Sequence, residues 1–362
     1  YALDLTQPSP GTRLAAKGGV RSNAGINPDG TLIALSSFGD SRLRLFDAAT
    51  LEELASLTGH DRTVGLHSFS PDGTQIITID SSFEVRVWDA PGHGWRRELT
   101  QATQHALDPA LTRDGTRLFF GSNEKKLSVI RLDGTDATPR VLADSLALTV
   151  ACSADGTTLG YAALGPTLTL VGADGENLRS VEATPGHRIQ SVRFDPAGTH
   201  VAAGTFEGVV VTVRTSDAYI QARHEVSPFA PIASIRYVGQ SGLLAAGTRD
   251  GRVHLLDAKT LEVERVVEAS PRQVRSIAVS PDAKTVAAVG DLGQISLVDV
   301  ASGRVRTSPR VSEDAIFCVC YHPKAETILV GDRAGVVTVV DAESLSVLAA
   351  FNVRAPVTSL TF

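Results

Sequence analysis

Residue types that bind metals alternate in the stretch "CVCYH" near the C-terminal end of the sequence. Cys318, Cys320 and His322 are spaced two apart, so their side chains share one face if this stretch is a β-strand. Thiolates and an imidazole on one face can hold Zn or Cu when a fourth ligand is available. In the aligned stretch at 276–280 the same positions hold only serine and alanine. We therefore interpret the two cysteines as small packing residues and predict no metal.

The sequence lacks the short motifs that mark several enzyme classes. It contains no Gly-x-Ser-x-Gly nucleophile elbow, no Gly-rich phosphate loop and no Zn-binding helix motif. Nothing in it assembles a nucleophile with a base, so we predict no catalytic residue, no cofactor and no enzymatic activity.

Composition excludes several kinds of partner. The net charge is −6, and no cluster of Lys and Arg stands out, so a nucleic-acid partner is not expected. No apolar run reaches the ~18 residues of a membrane span. An odd number of cysteines, three, argues against a disulfide framework and favours a cytoplasmic location, although the compartment stays open. With 43% hydrophobic residues the chain can build a packed core.

A turn phrase typified by "SPDGT" recurs eight times along the chain. Its glycine or the residue replacing it stands at 30, 73, 115, 156, 198, 242, 283 and 325, at spacings of 41 to 44. Pro fixes φ, Asp bonds nearby backbone amides, and Gly accepts positive φ, so each phrase predicts a tight turn. A fixed period of this length indicates a repeat architecture.

Each period reads as four short strands with period-two alternation, as in "TVGLHSF", "QIITID", "EVRVWDA" and "WRRELT". No helical stripe separates the strands, which argues against an α/β fold. Repeated four-stranded antiparallel units cover both of their faces when they are arranged radially. The predicted fold class is therefore all-β, a β-propeller with eight blades, and seven blades is the alternative.

The second unit contains "TGHD" at 58–61, then "SFSPDGT", "ITIDSS" and "VRVWDA", and the last of these includes Trp88 and Asp89. With these motifs the unit resembles the WD-repeat propeller family. The resemblance implies a buried relay in which His60, Thr78 and Trp88 are hydrogen-bonded. Ser82 stands where the family has an aspartate, so we expect the relay to be incomplete. Elsewhere the signature has decayed, and the apolar packing between blades should carry most of the stability.

We expect one propeller domain over residues 1–362. Its units run approximately over 19–60, 61–103, 104–144, 145–185, 186–228, 229–270, 271–312 and 313–354. Residues 1–18 and 355–362 resemble partial repeats, which either close the array or continue into a longer one. Seven blades plus a stray unit would also account for this count.

Three sets of residues are candidates for an interaction surface or channel. Acidic side chains occur at the turn between the second and third strands of four units, at Asp40, Glu124, Glu207 and Asp250. A longer outer loop at 91–99 places Trp95 beside Arg96 and Arg97, a composition typical of protein contacts, and packing of Trp95 against its own fourth strand is the equal alternative. Arg193 and Arg236 occupy equivalent inner-strand positions, near the expected channel, where two guanidinium groups can hold an anion.

These observations predict a non-catalytic scaffold that binds protein partners through its rim loops. The alternative is a propeller enzyme, or a binder of a cofactor or small ligand in the central channel, of the quinoprotein or lactonase type. The stretches at 257–264 and 299–305 resemble quinoprotein repeats. That family docks its blades with a recurrent Trp, whereas this sequence has only Trp88 and Trp95.

Overall fold

The computed structural model describes residues 22–361 with gaps at 38, 49, 51, 71, 83, 91–94, 102–105, 113–115, 123–124, 132–139, 145–146, 148, 164, 229, 323–326 and 353–356. All regular elements in the described ranges are β-strands. No helix in these ranges is long and apolar enough to cross a membrane.

The described strands follow the chain in groups of four, which we call blades 1 to 8. Blade 1 comprises β1 (Ser22–Ile26), β2 (Leu32–Ser37), β3 (Leu43–Asp47) and β4 (Glu53–Leu57), and blade 2 comprises β5 (Val64–Phe69), β6 (Gln75–Asp80), β7 (Glu84–Asp89) and β8 (Trp95–Gln101). Blade 3 comprises β9 (Ala106–Leu111), β10 (Arg117–Ser122), β11 (Lys126–Arg131) and β12 (Arg140–Ala143), and blade 4 comprises β13 (Thr149–Cys152), β14 (Thr158–Ala162), β15 (Thr167–Gly172) and β16 (Arg179–Glu182).

The second half of the chain repeats this order. Blade 5 comprises β17 (Ile189–Phe194), β18 (His200–Thr205), β19 (Val209–Arg214) and β20 (Ile220–Glu225), and blade 6 comprises β21 (Ile232–Tyr237), β22 (Leu243–Thr248), β23 (Arg252–Asp257) and β24 (Val263–Glu268). Blade 7 comprises β25 (Val274–Val279), β26 (Thr285–Gly290), β27 (Ile295–Asp299) and β28 (Val305–Thr307), and blade 8 comprises β29 (Ile316–Tyr321), β30 (Thr327–Asp332), β31 (Val336–Asp341) and β32 (Val347–Asn352). The last strand is β33 (Val357–Thr361).

Each blade is one sheet whose strands pair in chain order. The predicted all-β class is confirmed, and eight four-stranded blades are found rather than seven, as expected for a β-propeller. The strand predicted in 355–362 is β33, which pairs in parallel with β1 and makes that sheet five-stranded. Residues 1–18, for which partial repeat strands were predicted, lie outside the described residues.

The chain divides into two compact units. The first contains residues 1–103, 289–297 and 306–362, with blades 1, 2 and 8. One of its apolar clusters joins blades 1 and 2, and includes Leu45 and Trp88. Another joins blades 8 and 1, and includes Leu329, Phe46 and Val357 from β33. Side chains from successive blades therefore share each of these cores.

The second unit contains residues 104–288 and 298–305, with blades 3 to 6. Its apolar clusters also draw on successive blades, for example blades 4 and 5 or blades 5 and 6. The backbone of Gly204 in β18 lies against the next blade, where an added Cβ would be 2.5 Å from Ile235 and 2.6 Å from Ile232. Glycine at this position thus lets blade 6 approach blade 5 closely.

The recurring turn phrase joins the first and second strands of a blade. In blade 2 the amide of Gly73 donates to Ser70 O at 2.8 Å, and Gly73 has φ +71°. The Asp72 carboxylate accepts from Ser70 Oγ at 2.6 Å and from the amide of Thr74 at 3.0 Å. The hydrogen bond from Ser70, with those from Thr74, lowers the pKa of Asp72. The phrase therefore recurs because its side chains close the turn.

Candidate functional site

We call the end of a blade where the chain enters its first strand the linker end. The antiparallel register brings this linker beside the turn between the second and third strands, as the pairs Val64 with Asp80 and Ile232 with Thr248 show. The other two turns of the blade lie at its opposite end. Most of the polar side chains with possible functions lie at linker ends.

Blade 2 contains a buried hydrogen-bond network that starts at its linker end. His60 lies in the linker before β5, and Thr78 and Trp88 lie on β6 and β7. His60 Nε2 is 2.6 Å from Thr78 Oγ1, and the indole Nε1–H of Trp88 donates to the same hydroxyl at 2.8 Å. All three side chains are buried. The residues of the predicted relay are thus in direct contact.

Two carboxylates complete this network on the other side of the imidazole. His60 Nδ1 is 3.2 Å from Glu84 Oε2 and 3.4 Å from Asp80 Oδ2. Ser82, which stands at the position of the family aspartate, instead donates its hydroxyl to Asp80 Oδ1 at 2.8 Å. Burial opposes ionisation of Asp80, but the nearby His60 imidazole and hydrogen bonds from Ser82 and from the amide of Glu84 hold its pKa below the usual value. The relay expected to be incomplete has two carboxylates in place of one.

The ligand types of this cluster also suit a divalent cation. One ligand atom each from His60, Asp80 and Glu84 lies within 4.8 Å of the others. Protein groups already engage the ligand atoms of His60 and Glu84, whereas the buried Asp80 Oδ2 makes no hydrogen bond in the described part of the chain and lies 3.4 Å from His60 Nδ1. Both imidazole nitrogens of His60 have partners, and the guanidinium of Arg86 is paired with Glu84. The arrangement is therefore that of a structural hydrogen-bond network, in which Arg86 supplies the positive charge.

Shorter networks stand at the linker ends of blades 6 and 8. In blade 6 the Ser227 hydroxyl donates to Asp250 Oδ2 at 2.9 Å, and Thr248 Oγ1 donates to Asp250 Oδ1. In blade 8 the Ser312 hydroxyl donates to Asp332 Oδ2. A serine in the linker thus takes the place that His60 has in blade 2. The sequence pattern missed these pairs because neither has the Gly-His signature.

The predicted acidic turn residues have partners within the chain. Asp40 is 8% exposed and is 2.9 Å from Arg42 and 3.6 Å from Arg44, so its carboxylate is not part of an accessible surface. Asp250 is bonded as described above. Glu207 accepts from the amide of Arg188 at 3.0 Å and lies 3.6 Å from His187 Nδ1. Glu124 lies outside the described residues.

Trp95, Arg96 and Arg97 lie on a strand and not in a loop. They begin β8, the last strand of blade 2, where Trp95 pairs with Trp88 and Arg97 pairs with Val87. The strand predicted at "WRRELT" is therefore confirmed, because the backbone pairs with β7 from Trp95 onward. The proposed part of these residues in a protein contact stays a prediction.

Arg193 and Arg236 occupy equivalent positions of β17 and β21, as predicted. Each pairs with an alanine of the neighbouring strand, Ala202 or Ala245. The Nη1 of each donates to the preceding carbonyl of its own strand, at 2.7 Å for Arg193 and 2.8 Å for Arg236. Both side chains are half-buried. Their proposed part in holding an anion stays a prediction.

Cys318, Cys320 and His322 differ in their surroundings. Cys318 belongs to the apolar cluster between blades 8 and 1, and its thiol donates to Val357 O at 3.3 Å. Burial raises the pKa of this thiol, which keeps it protonated. His322 is buried against Gly30, where an added Cβ would collide with its ring. These contacts agree with a packing role.

One cluster at the linker ends of blades 5 and 6 was missed by the sequence analysis. Phe206 is the first residue of the turn between β18 and β19, and Arg249 stands at the equivalent position after β22. Arg188 precedes β17, and Phe206 donates its amide to Arg188 O at 2.9 Å. The guanidinium carbon of Arg188 is 4.9 Å from the centre of the Phe206 ring, and that of Arg249 is 5.8 Å from it. These are cation–π distances.

Known proteins share both the repeat and the fold. The family described as "WD domain, G-beta repeat" matches residues 51–89, which include His60, Thr78 and Trp88. The C-terminal WD40 domain of Sif2 superimposes with a TM-score of 0.71 at 17% identity, over 86% of this chain and 92% of that one. Sqt1 of Chaetomium thermophilum, bound to the N-terminus of ribosomal protein L10, gives 0.71 at 16% identity, over 86% and 93%. This chain therefore has the β-propeller fold, and its second repeat matches the WD-repeat family.

Curated relatives of the propeller are distant. Serine-threonine kinase receptor-associated protein from Homo sapiens is 22% identical over 293 residues, which cover 78% of this chain and 79% of that protein. Telomerase protein component 1 from Mus musculus is 26% identical over 188 residues, or 51% of this chain. The matched residues cover only 7% of that relative's length. The family repeat is matched where the blade 2 network is complete.

Proposed function

We propose that this WD-repeat propeller is a non-catalytic scaffold that binds protein partners at the linker ends of its blades. The observation that carries this proposal is a contrast between polar side chains bonded inside the protein and arginine side chains that are exposed. The His60 network, the Ser227 and Ser312 pairs and Cys318 are bonded within and between blades. Arginines at linker ends are exposed instead, for example Arg188 and Arg249. Exposed arginine beside an aromatic ring is a composition that recurs in protein interfaces.

The relatives support this proposal through what they are known to contact. Sqt1 holds the N-terminus of a ribosomal protein, and another relative is named for association with a kinase receptor. Rigid blades that carry variable turns suit such a role, because the sheets fix the position of side chains whose identity differs from one blade to the next. Partner identity differs between relatives of one fold, so the partner must be read from the turns.

Site-specific photo-crosslinking tests the proposal. A photoreactive amino acid is placed at Arg62, Arg249 or Arg272, which are exposed residues at linker ends, and the chain is expressed in its source cells. Matched control positions are Arg223 and Glu264, which are exposed on the outermost strands β20 and β24. We expect a discrete protein adduct from at least one linker-end position and none from the controls, as resolved by mass spectrometry.

Two outcomes would contradict the scaffold proposal. Adducts that form equally well from the outer-strand controls would mean that contact is nonspecific. Absence of a protein adduct from every linker-end position, together with turnover of a small substrate by the purified chain, would favour the channel-based enzyme. An elemental analysis of the same preparation shows whether a metal accompanies that activity.

A further inference from the structure

The Phe206 cluster carries positive charge that no carboxylate in the described part of the chain neutralises. In the described part of the chain, neither the Arg188 nor the Arg249 side chain has a carboxylate within 4.0 Å. Both arginines are exposed, and Phe206 is half-buried between their two blades. Two guanidinium groups are therefore held at one ring with their N–H donors open to solvent.

A second arginine and aromatic pair in blade 5 shows the alternative arrangement. Arg214 lies 5.2 Å from the centre of the Tyr219 ring, at the opposite end of the blade. There Asp217 pairs with the guanidinium through two hydrogen bonds of 2.9 and 2.5 Å. The Arg214 hydrogen bond lowers the pKa of Asp217 to about 2, so its carboxylate is charged and neutralises the arginine. Among the described residues, the linker-end cluster has no equivalent of Asp217.

Acidic residues adjacent to the Phe206 cluster are already engaged. Glu207 is beside His187 and accepts the Arg188 amide. Asp250 accepts from Ser227 and Thr248, and it is 3.2 Å from Arg252. These carboxylates hold the turns in place, and their partners keep them from the two free guanidinium groups. An external carboxylate would supply the missing partner.

We propose that Arg188, Phe206 and Arg249 form a docking surface for an acidic segment of a partner protein. Carboxylates of Asp or Glu would pair with the planar donor forks of the two arginines, and the Phe206 ring holds these side chains in position. This inference rests on the proposed scaffold function, and it specifies the chemistry of one partner segment. Its positive charge is opposite to that of the acidic turn residues, which were the candidates for an interaction surface in the sequence.

The charge distribution favours an acidic peptide over a nucleic acid. Two unpaired arginines match a few carboxylates, whereas nucleic-acid binding normally uses a basic patch or stripe. The net charge of the chain is −6, and Glu207 and Asp250 flank the cluster. A long polyphosphate backbone would meet these carboxylates, but a short segment with alternating acidic residues can avoid them.

Binding of defined peptides tests the docking surface. The probes are a fluorescein-labelled peptide of about ten residues rich in Asp and Glu, its Asn and Gln counterpart, and a phosphoserine peptide of the same net charge. A DNA oligonucleotide of matched charge is the fourth probe. Fluorescence polarisation with the full chain at low salt should show binding of the acidic peptide, weakening as NaCl is raised.

Three variants locate that binding. We expect the double variant Arg188→Gln with Arg249→Gln to bind the acidic peptide about tenfold more weakly. Phe206→Leu should weaken it by about threefold, because the arginines lose the ring that positions them. Arg223→Gln removes an exposed charge from β20 in the same blade and should leave the affinity unchanged. Equal thermal midpoints of the variants confirm that each is folded.

Several results would overturn the inference. The inference is wrong if the double variant binds the acidic peptide as tightly as the unsubstituted chain does, or if the neutral peptide binds equally well. It is also wrong if only the phosphopeptide or the DNA binds. Its failure is distinguishable from failure of the scaffold proposal. Photo-crosslinks to a protein from Arg62 or Arg272, with no effect of the double variant, would leave the scaffold standing and remove this docking surface.

Discussion

Asp80 in blade 2 and Asp332 in blade 8 are the same residue type at the same place in the fold. Each is the last residue of the second strand of its blade, and each side chain is nearly fully buried. Burial disfavours the charged form of both carboxyl groups. Even so, the pKa of Asp80 is lowered, whereas the pKa of Asp332 is raised.

The number and kind of donors explain the difference. Asp80 accepts from the hydroxyl and amide of Ser82 and from the amide of Glu84, and His60 lies 3.4 Å away. Asp332 has the Ser312 hydroxyl and the amide of Val336 as its main donors. The carboxyl of Asp314 also opposes its ionisation. A family relay can therefore shrink to a serine and an aspartate, but it then stabilises the ionised carboxylate less well.

Removal of His60 should have the largest effect on stability. His60→Ala leaves Asp80 and Glu84 buried beside each other without the shared imidazole, and Thr78 loses a partner. Because buried polar groups lose hydrogen-bond partners and a cavity replaces the ring, we expect the free energy of unfolding to fall by about 3 kcal/mol. Urea denaturation measures this loss. Ser81→Ala, an exposed neighbour, is the control and should change stability by less than about 0.5 kcal/mol. A loss no greater than the control would mean that the network is not stabilising.

The two aspartates should also give opposite pH dependences. A lowered native pKa stabilises the fold above the unfolded pKa of about 3.9, and this contribution is lost as the pH falls through the native pKa. A raised native pKa stabilises the fold below that unfolded value, and this contribution is lost as the pH rises through the native pKa. The free-energy advantage of the unsubstituted chain over Asp80→Asn should therefore shrink on acidification, from about 2 kcal/mol at neutral pH.

The advantage over Asp332→Asn should shrink in the other direction, as the pH rises from about 4 toward neutrality. Asparagine suits this site, since its amide can donate to the Ser312 oxygen while its carbonyl accepts the Val336 amide. Denaturation curves at a series of pH values measure both differences. Parallel slopes for the two variants would show that the carboxyl environments do not differ as the hydrogen bonds indicate.

The repeat and strands were predictable, but the clusters that distinguish the blades were only partly so. Turn phrases are local, and residues such as Gly73 and Asp72 fix them within five positions, so eight units could be counted. The His60 network was predicted up to its carboxylate, which was sought at Ser82 although Asp80 lies two residues earlier. Arg188, Phe206 and Arg249 come from two repeats and converge only when blades 5 and 6 pack together. No local pattern in the sequence predicts such a contact.

An exchange of one hydroxyl between the two turns should have the smallest effect on stability. It tests directly whether this hydroxyl sets the pKa difference between Asp80 and Asp332. Ala334 stands two residues after Asp332, as Ser82 does after Asp80, and both positions are exposed. Ala334→Ser should add a hydroxyl donor to Asp332, lower its pKa and stabilise the chain by about 0.5 kcal/mol at neutral pH. Ser82→Ala should raise the pKa of Asp80 and destabilise by a similar amount. Carboxyl titration by NMR, with the denaturation series, measures both. If neither substitution moves the pKa of its aspartate, the hydroxyl at this turn does not set the difference, and the imidazole of His60 must account for it.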